Sequence, residues 1–116
     1  EERASEVFLN VLGQLLASGE AMLAEDRQNP IEPPPGTTII GYRDEQFIHL
    51  LPEVAYRAVN RVQTLKFTTA AIGSQLREDG FLLTHDGGRN LTVRVRVRGN
   101  RIRVWRLAVD AFDGAE

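Results

Sequence analysis

Cysteine is missing from this 116-residue sequence, so the chain can form neither a disulfide nor a thiolate metal site. Histidine occurs only twice, as His49 and His85, and neither lies near another histidine at the spacing of metal ligands. No apolar run approaches the roughly 20 residues that a transmembrane helix needs, and no signal-peptide pattern is present. These absences favour a cytoplasmic protein with no metal ion, no cofactor and no contact with a membrane.

Local arrangements typical of catalysis are missing as well. Glu25 and Asp26 are adjacent and would point apart on a helix, and Asp44 and Glu45 fall in a predicted turn, so neither pair suits acid–base chemistry. The glycine-rich segment 86–88 lacks the lysine and the following helix of a phosphate-binding loop. We therefore do not expect an enzyme.

The composition indicates one globular domain, because 42% of the residues are apolar, 26% are charged and the length supports a single hydrophobic core. The first residue is Glu rather than Met, and we interpret the chain as a domain of a longer protein. The net charge of −2 conceals an asymmetry: residues 1–36 carry seven acids and two bases, whereas residues 91–107 carry six arginines and no acid. Such a local basic block favours a directed contact with an anionic partner.

Residues 91–107, LTVRVRVRGNRIRVWRL, alternate apolar and basic residues in two runs that Gly99-Asn100 separates. Strict alternation is the period of a half-buried strand, and a Gly-Asn pair favours a two-residue hairpin turn. A turn at these two residues would place Arg98 opposite Arg101. One face of the hairpin is then apolar, and the other presents the residues that we predict to bind nucleic acid, namely Arg94, Arg96, Arg98, Arg101, Arg103 and Trp105.

This basic face needs counter-charge, because like charges opposite each other on neighbouring strands destabilise a sheet. Phosphates of a nucleic acid are one source, and Trp105 would then offer stacking or a cation–π contact. Acids of the protein itself, including those of the first helix, are a second source. A merely solvated face is the third interpretation, and the sequence leaves all three open.

The rest of the chain predicts helices and short strands around this hairpin. Apolar spacing indicates an amphipathic helix at residues 5–25, followed by a proline-rich connector at 26–36. The remaining predicted elements are strands at 39–42 and 47–50, a helix from Pro52 to about Leu65, a helix at 69–79 that Thr68 or Thr69 caps and Gly80 ends, and a strand at 81–85.

Two helices joined by a short turn and followed by a hairpin are the order of a winged helix-turn-helix. We therefore predict an α+β fold of this kind with an extra N-terminal helix and β-hairpins. The predicted organisation is a helix and connector at 1–36, a winged-helix core at 37–109 and a disordered tail at 110–116. The turn at 86–90 and the turn at Gly99-Asn100 both qualify as the tip of the wing.

The predicted helix at 69–79 would be the recognition helix. Its outward polar residues could contact bases or phosphates, although an ordinary polar helix face gives the same pattern. These residues are Thr69, Ser74, Gln75 and Arg77.

Three segments carry a resemblance to a known family: IGYRDEQFIHLLPEVAYRAVNRV, the helix TTAAIGSQLREDGFLL and the strand LTVRVRV. Together they make the run from Ile39 to Leu107, about two-thirds of the chain, similar to the C-terminal winged-helix region of primase–helicase-like ATPases of phages, plasmids and other mobile elements. The resemblance implies an accessory module that binds DNA or docks a protein partner, either the ATPase portion of its parent protein or a second copy of itself. It transfers no active site, because the ATPase motifs are absent from this sequence.

Overall fold

The computed structural model describes residues 3–25, 32–83 and 91–112. These residues form a mixed α+β fold with three helices and one five-stranded sheet of order β1-β2-β3-β5-β4. The elements in chain order are α1 (Ala4–Ser18), β1 (Ala21–Ala24), β2 (Thr38–Arg43), β3 (Phe47–Leu50), α2 (Pro52–Val62), α3 (Thr69–Glu78), β4 (Val93–Val97) and β5 (Asn100–Ala108).

The α+β class agrees with the prediction, but the arrangement of the strands does not. We expected separate hairpins beside the helices, and the structure has one continuous sheet. The cause is the length of β5, which spans nine residues. Its first half pairs with β4 and its second half pairs with β3, so that the two hairpins join into one sheet. None of the helices in the described part of the chain is long and apolar enough to cross a bilayer.

The first helix ends earlier than predicted. Gly19 adopts a left-handed φ of 84° and donates its N–H to the carbonyl of Leu16, which ends α1 at Ser18. The next residues, Ala21–Ala24, form β1 and pair parallel with β2 instead of continuing the helix. Phe8 is fully buried, so α1 is part of the core.

The turns around α2 and α3 follow the predicted chemistry. Asp44 closes the β2–β3 turn by accepting the backbone N–H groups of Gln46 and Phe47 at 2.8 and 2.7 Å. Pro52 begins α2, and the hydroxyl of Thr68 caps α3 by accepting the N–H of Ala71 at 3.1 Å. α2 ends at Val62, a few residues before the predicted end.

A buried tryptophan holds the helices to the sheet. Trp105 is 2% exposed and meets the ring of Phe8 edge-on, with ring centroids 5.7 Å apart. On α3, a Cβ at Gly73 would lie 3.1 Å from the indole Nε1 and 3.1 Å from Leu91 Cδ1. The absence of a side chain at Gly73 therefore allows α3 to approach the indole closely.

A second hydrophobic cluster lies on the opposite face of β5. It includes residues of both edge strands, β1 and β4. Its buried members are Ala24, Tyr42, Val93, Val95, Val97 and Val104. Gly41 allows the backbones of the paired strands β2 and β3 to approach closely, because a Cβ at this position would collide with the carbonyl oxygen of His49.

Two further predictions concern the end of the chain. Only Leu82 of the predicted strand at 81–85 makes a β-bridge among the described residues, with Leu107, and the predicted turn at 86–90 lies outside the described residues. At the predicted disordered tail, 110–116, Ala111 and Phe112 are partly buried against the core. The last four residues lie outside the part described.

Candidate nucleic-acid interface

The hairpin of β4 and β5 turns one residue earlier than predicted. Val97 lies opposite Asn100, so the turn residues are Arg98 and Gly99, whose φ angles are 53° and 82°. Two successive residues with positive φ are typical of a type I′ turn, which matches the twist of the flanking strands. The prediction that Gly99-Asn100 forms the turn is therefore wrong, and Arg98 lies at the hairpin tip.

The new register changes the partners on the apolar face. In the predicted register Val95 would face Val104 and Val97 would face Ile102, whereas in the structure Val93 faces Val104 and Val95 faces Ile102. Both registers contain two apolar pairs on this face. Because the shift in pairing is two residues, every remaining side chain keeps its predicted face.

Four arginines form what we call the basic face, namely Arg94, Arg96, Arg101 and Arg103. Arg94 pairs with Arg103 and Arg96 pairs with Arg101, and all four side chains are exposed. In a two-residue hairpin the pair that closes the turn is hydrogen-bonded, so both arginine pairs fall at non-hydrogen-bonded positions. Cα atoms are only about 4.5 Å apart at such positions, which maximises the repulsion between the paired charges.

Glu6, the acid of α1, does not neutralise most of this face. Among residues 3–25, 32–83 and 91–112, no ion pair links Glu6 to Arg94, Arg101 or Arg103. The ion pairs of α1 run instead from Arg3 to the end of α3, at 3.6 Å to Glu78 and 2.9 Å to Asp79. Neutralisation by α1 is thus not observed for these three arginines.

Trp105 lies on the predicted face of β5, together with Arg101 and Arg103, but it is not exposed there, because α1 and α3 cover it. Its indole is consequently not available to stack on a base. The burial of Trp105 depends on Phe8 and Gly73, which are distant from it in sequence and become its neighbours only in the folded protein. The local sequence around Trp105 therefore gave no signal of it.

The four predicted α3 residues have different environments. Thr69, Ser74 and Gln75 are partly buried, and Arg77 is exposed in the last turn. The side-chain amide of Gln75 donates to the carboxylate of Glu78 at 3.0 Å. Since α3 covers Trp105, α3 and the basic face lie on the same side of the sheet.

The sixth arginine of the basic stretch has a structural role. Arg106 donates its Nε–H to Nε2 of buried His49 at 3.1 Å, and its guanidinium lies 4.7 Å from the ring centroid of Phe47. His49 lies in β3 on the same face as Phe47, as the spacing of two residues predicts. This set was not predicted because it depends on the pairing of β3 with β5. Among the described residues no cluster of three or more metal-ligating side chains occurs.

A separate surface runs beside α2. Two open grooves of about 290 and 350 Å³ share Thr38 and Arg61. Arg57 lines one groove, and Val62, which is 57% exposed, lines the other. This surface combines apolar and basic groups.

No protein-family model, curated protein or solved structure matches this chain. The function must therefore be argued from the geometry and the charge of these surfaces.

Proposed function

We propose that the chain is a DNA-binding winged-helix accessory module of a primase–helicase-like ATPase involved in replication or in a mobile element. The basic face contacts phosphates, and the exposed guanidinium of Arg98 extends the contact at the hairpin tip. The observation that carries the proposal is the pairing of exposed arginine with exposed arginine across β4 and β5.

The energetics of these pairs support a polyanionic partner. A cross-strand pair of like charges destabilises a sheet, where an opposite pair would contribute roughly 0.2–1 kcal/mol. Phosphate oxygens reverse the sign of this term, because each guanidinium can donate two parallel hydrogen bonds to a phosphate. Phosphates bound at Arg94 and Arg103 would therefore replace a repulsion between these two residues by attraction to the ligand.

The order of elements supports the winged-helix part of the proposal. α2, a six-residue connection and α3 precede the β4–β5 hairpin, which would be the wing. The connection is held in place, since Asn60 Oδ1 accepts the N–H of Leu65 at 2.8 Å and the Tyr56 hydroxyl donates to the carbonyl of Phe67 at 2.6 Å. In this arrangement α3 approaches the major groove with its polar residues Thr69, Ser74, Gln75 and Arg77.

The experiment measures the binding constant K for a labelled duplex of mixed sequence over a series of salt concentrations, by fluorescence anisotropy. If the basic face neutralises four phosphates, log K falls with log salt with a slope of about −3.6. A slope near zero, or no binding at ~50 mM salt, would contradict the proposal.

The second candidate is a winged helix that docks a protein, either the ATPase portion of the parent protein or a second copy of the chain. The surface beside α2 favours it, because Val62 is exposed and Arg57 and Arg61 supply charge. Sedimentation at increasing protein concentration tests self-association. A concentration-dependent dimer, together with no affinity for DNA, would favour this candidate over the first.

A further inference from the structure

We infer that β4 accepts an added strand from a protein partner in which acidic residues alternate with apolar ones. The added strand runs antiparallel to β4 and extends the sheet beyond it. This inference goes beyond the proposed function, because it depends on the backbone edge of β4 and does not require DNA. Two observations carry it: the position of β4 in the sheet and the alternation of its residues.

β4 is an edge strand with a defined set of outward backbone groups. In the part of the chain that the structure describes, the sheet ends at β4, whose partner strand is β5. The valines of β4 occupy hydrogen-bonded positions opposite β5, because the pair that closes a two-residue turn is hydrogen-bonded. The N–H and C=O groups of Arg94 and Arg96 therefore point to the outer edge, which is the template that strand addition uses.

The charges along this edge select the partner. A second copy of β4 paired at this edge would place arginine opposite arginine, and that repulsion disfavours self-pairing. A carboxylate opposite Arg94 forms an opposite-charge pair instead, on Cα atoms about 5.5 Å apart. Since Arg94 and Arg96 are two residues apart, the matching partner has an acid at every second position.

The face opposite the arginines determines the other residues of the partner. Side chains alternate between the two faces of a sheet, so these residues lie beside the valines of β4, which are buried in the second hydrophobic cluster. Apolar side chains extend this cluster, whereas polar ones would be placed against it. The opposite edge of the sheet offers no such charge selection, because Ala21–Ala24 of β1 carries no charged residue.

The test uses a labelled synthetic peptide in which glutamate alternates with valine. Binding is followed by fluorescence anisotropy at about 0.1 M salt, where long-range attraction is largely screened. Two modified peptides carry N-methyl groups, one on its glutamates and the other on its valines. In the antiparallel arrangement the glutamate N–H groups point at β4 and the valine N–H groups point away. Methylated glutamates should therefore weaken binding at least ~10-fold, whereas methylated valines should change it less than about twofold.

Hydrogen exchange and one pair of variants give further readouts. Binding of the unmodified peptide should slow exchange of the Arg94 amide, because this N–H becomes hydrogen-bonded to the added strand. Arg94→Glu should weaken peptide binding at least ~10-fold, since it turns the attraction to the glutamates into repulsion. Arg57→Glu is the matched control, because Arg57 is also exposed but lies on α2, and it should leave the affinity unchanged.

The outcomes are distinct for the peptide and for DNA. Equal affinities of the three peptides would show that charge alone holds the peptide, and would overturn strand addition. Weakening by methylated valines instead of methylated glutamates would overturn the antiparallel arrangement. No affinity for the unmodified peptide would overturn the inference as a whole. None of these results alters the affinity for DNA, which the salt series measures separately.

Discussion

The two halves of β5 follow one alternating pattern and have opposite surroundings. In the half that pairs with β4, Arg101 and Arg103 point to solvent. In the half that pairs with β3, Trp105 and Leu107 occupy the same face but are buried under helices. Alternation thus determines the face on which a side chain lies, whereas the helices determine whether that face is core or surface. The first half is a candidate for binding, and the second half supports the fold.

The largest expected effect is in the buried half. Trp105→Ala should lower the free energy of unfolding by about 3–5 kcal/mol, because it leaves a cavity between Phe8 and α3. Urea denaturation followed by circular dichroism measures it. The matched control is Phe67→Ala, which removes an aromatic ring that is 48% exposed and should change stability far less. Equal effects of the two substitutions would show that Trp105 does not support the core as described.

The next effect concerns the close approach of α3 to the indole. Gly73→Ala adds a methyl group 3.1 Å from both Trp105 and Leu91, and we expect a loss of about 1–3 kcal/mol from overpacking. In α1, Gly13→Ala is the control, since the nearest atom, on Phe112, is 4.0 Å away. There the alanine should stabilise by up to about 1 kcal/mol through helix propensity. Stabilisation by both substitutions would contradict the packing of α3 on Trp105.

A smaller effect of opposite sign is expected in the exposed half. Arg103→Glu converts a repulsive pair with Arg94 into an attractive one and should stabilise the free protein by roughly 0.2–1 kcal/mol. The same change should abolish the contribution of this pair to DNA binding, whereas Arg103→Gln should give intermediate values of both. A stabilising substitution that removes binding would mark Arg103 as a residue retained for function. Destabilisation by Arg103→Glu would indicate that a protein acid already pairs with Arg103.

The smallest effect is at the contact between α1 and α3. Hydrogen bonding by the Ser5 hydroxyl and then by Arg3, together with the charge of Arg3, lowers the pKa of Asp79 below its ordinary value of 3.8. A lowered folded-state pKa contributes stability that is complete above the ordinary value and is lost as the pH falls through the folded value. Ser5→Ala should therefore raise the pKa of Asp79 and weaken the loss of stability in acid. Carbon-detected NMR titration of Asp79 measures this, and an unchanged pKa would contradict it.

Local signals predicted part of this fold well. Pro52, Thr68 and Asp44 set the ends of α2, α3 and the β2–β3 turn through contacts within a few residues. The end of α1 was less predictable, because Met22 and Leu23 fit a helical spacing as well as a strand. Only the positive φ of Gly19 and the pairing with β2 distinguish the two.

For the hairpin that carries the candidate site, the faces of the arginines were predicted correctly, whereas the turn and the exposure of Trp105 were not. Alternation assigned the faces of Arg94, Arg96, Arg101 and Arg103, since that signal is local. The positions of Trp105 and Arg106 depend on neighbours distant in sequence, namely the helices and His49. The predicted and the observed pairings of β4 with β5 differ by two residues and place the arginines on the same face. Alternation alone could therefore not distinguish between the two registers.

The measurement that tests the account most directly is the salt dependence of duplex binding for Arg94→Gln/Arg103→Gln against Arg57→Gln/Arg61→Gln. Both variants lose two positive charges, but only the first loses them from the basic face. We predict that the slope falls from about −3.6 to about −1.8 in the first variant and stays near −3.6 in the second. An equal reduction of the slope in both variants would show that binding follows net charge, and an unchanged slope in both would show that neither pair meets phosphates. Either result would contradict a site on the β4–β5 hairpin.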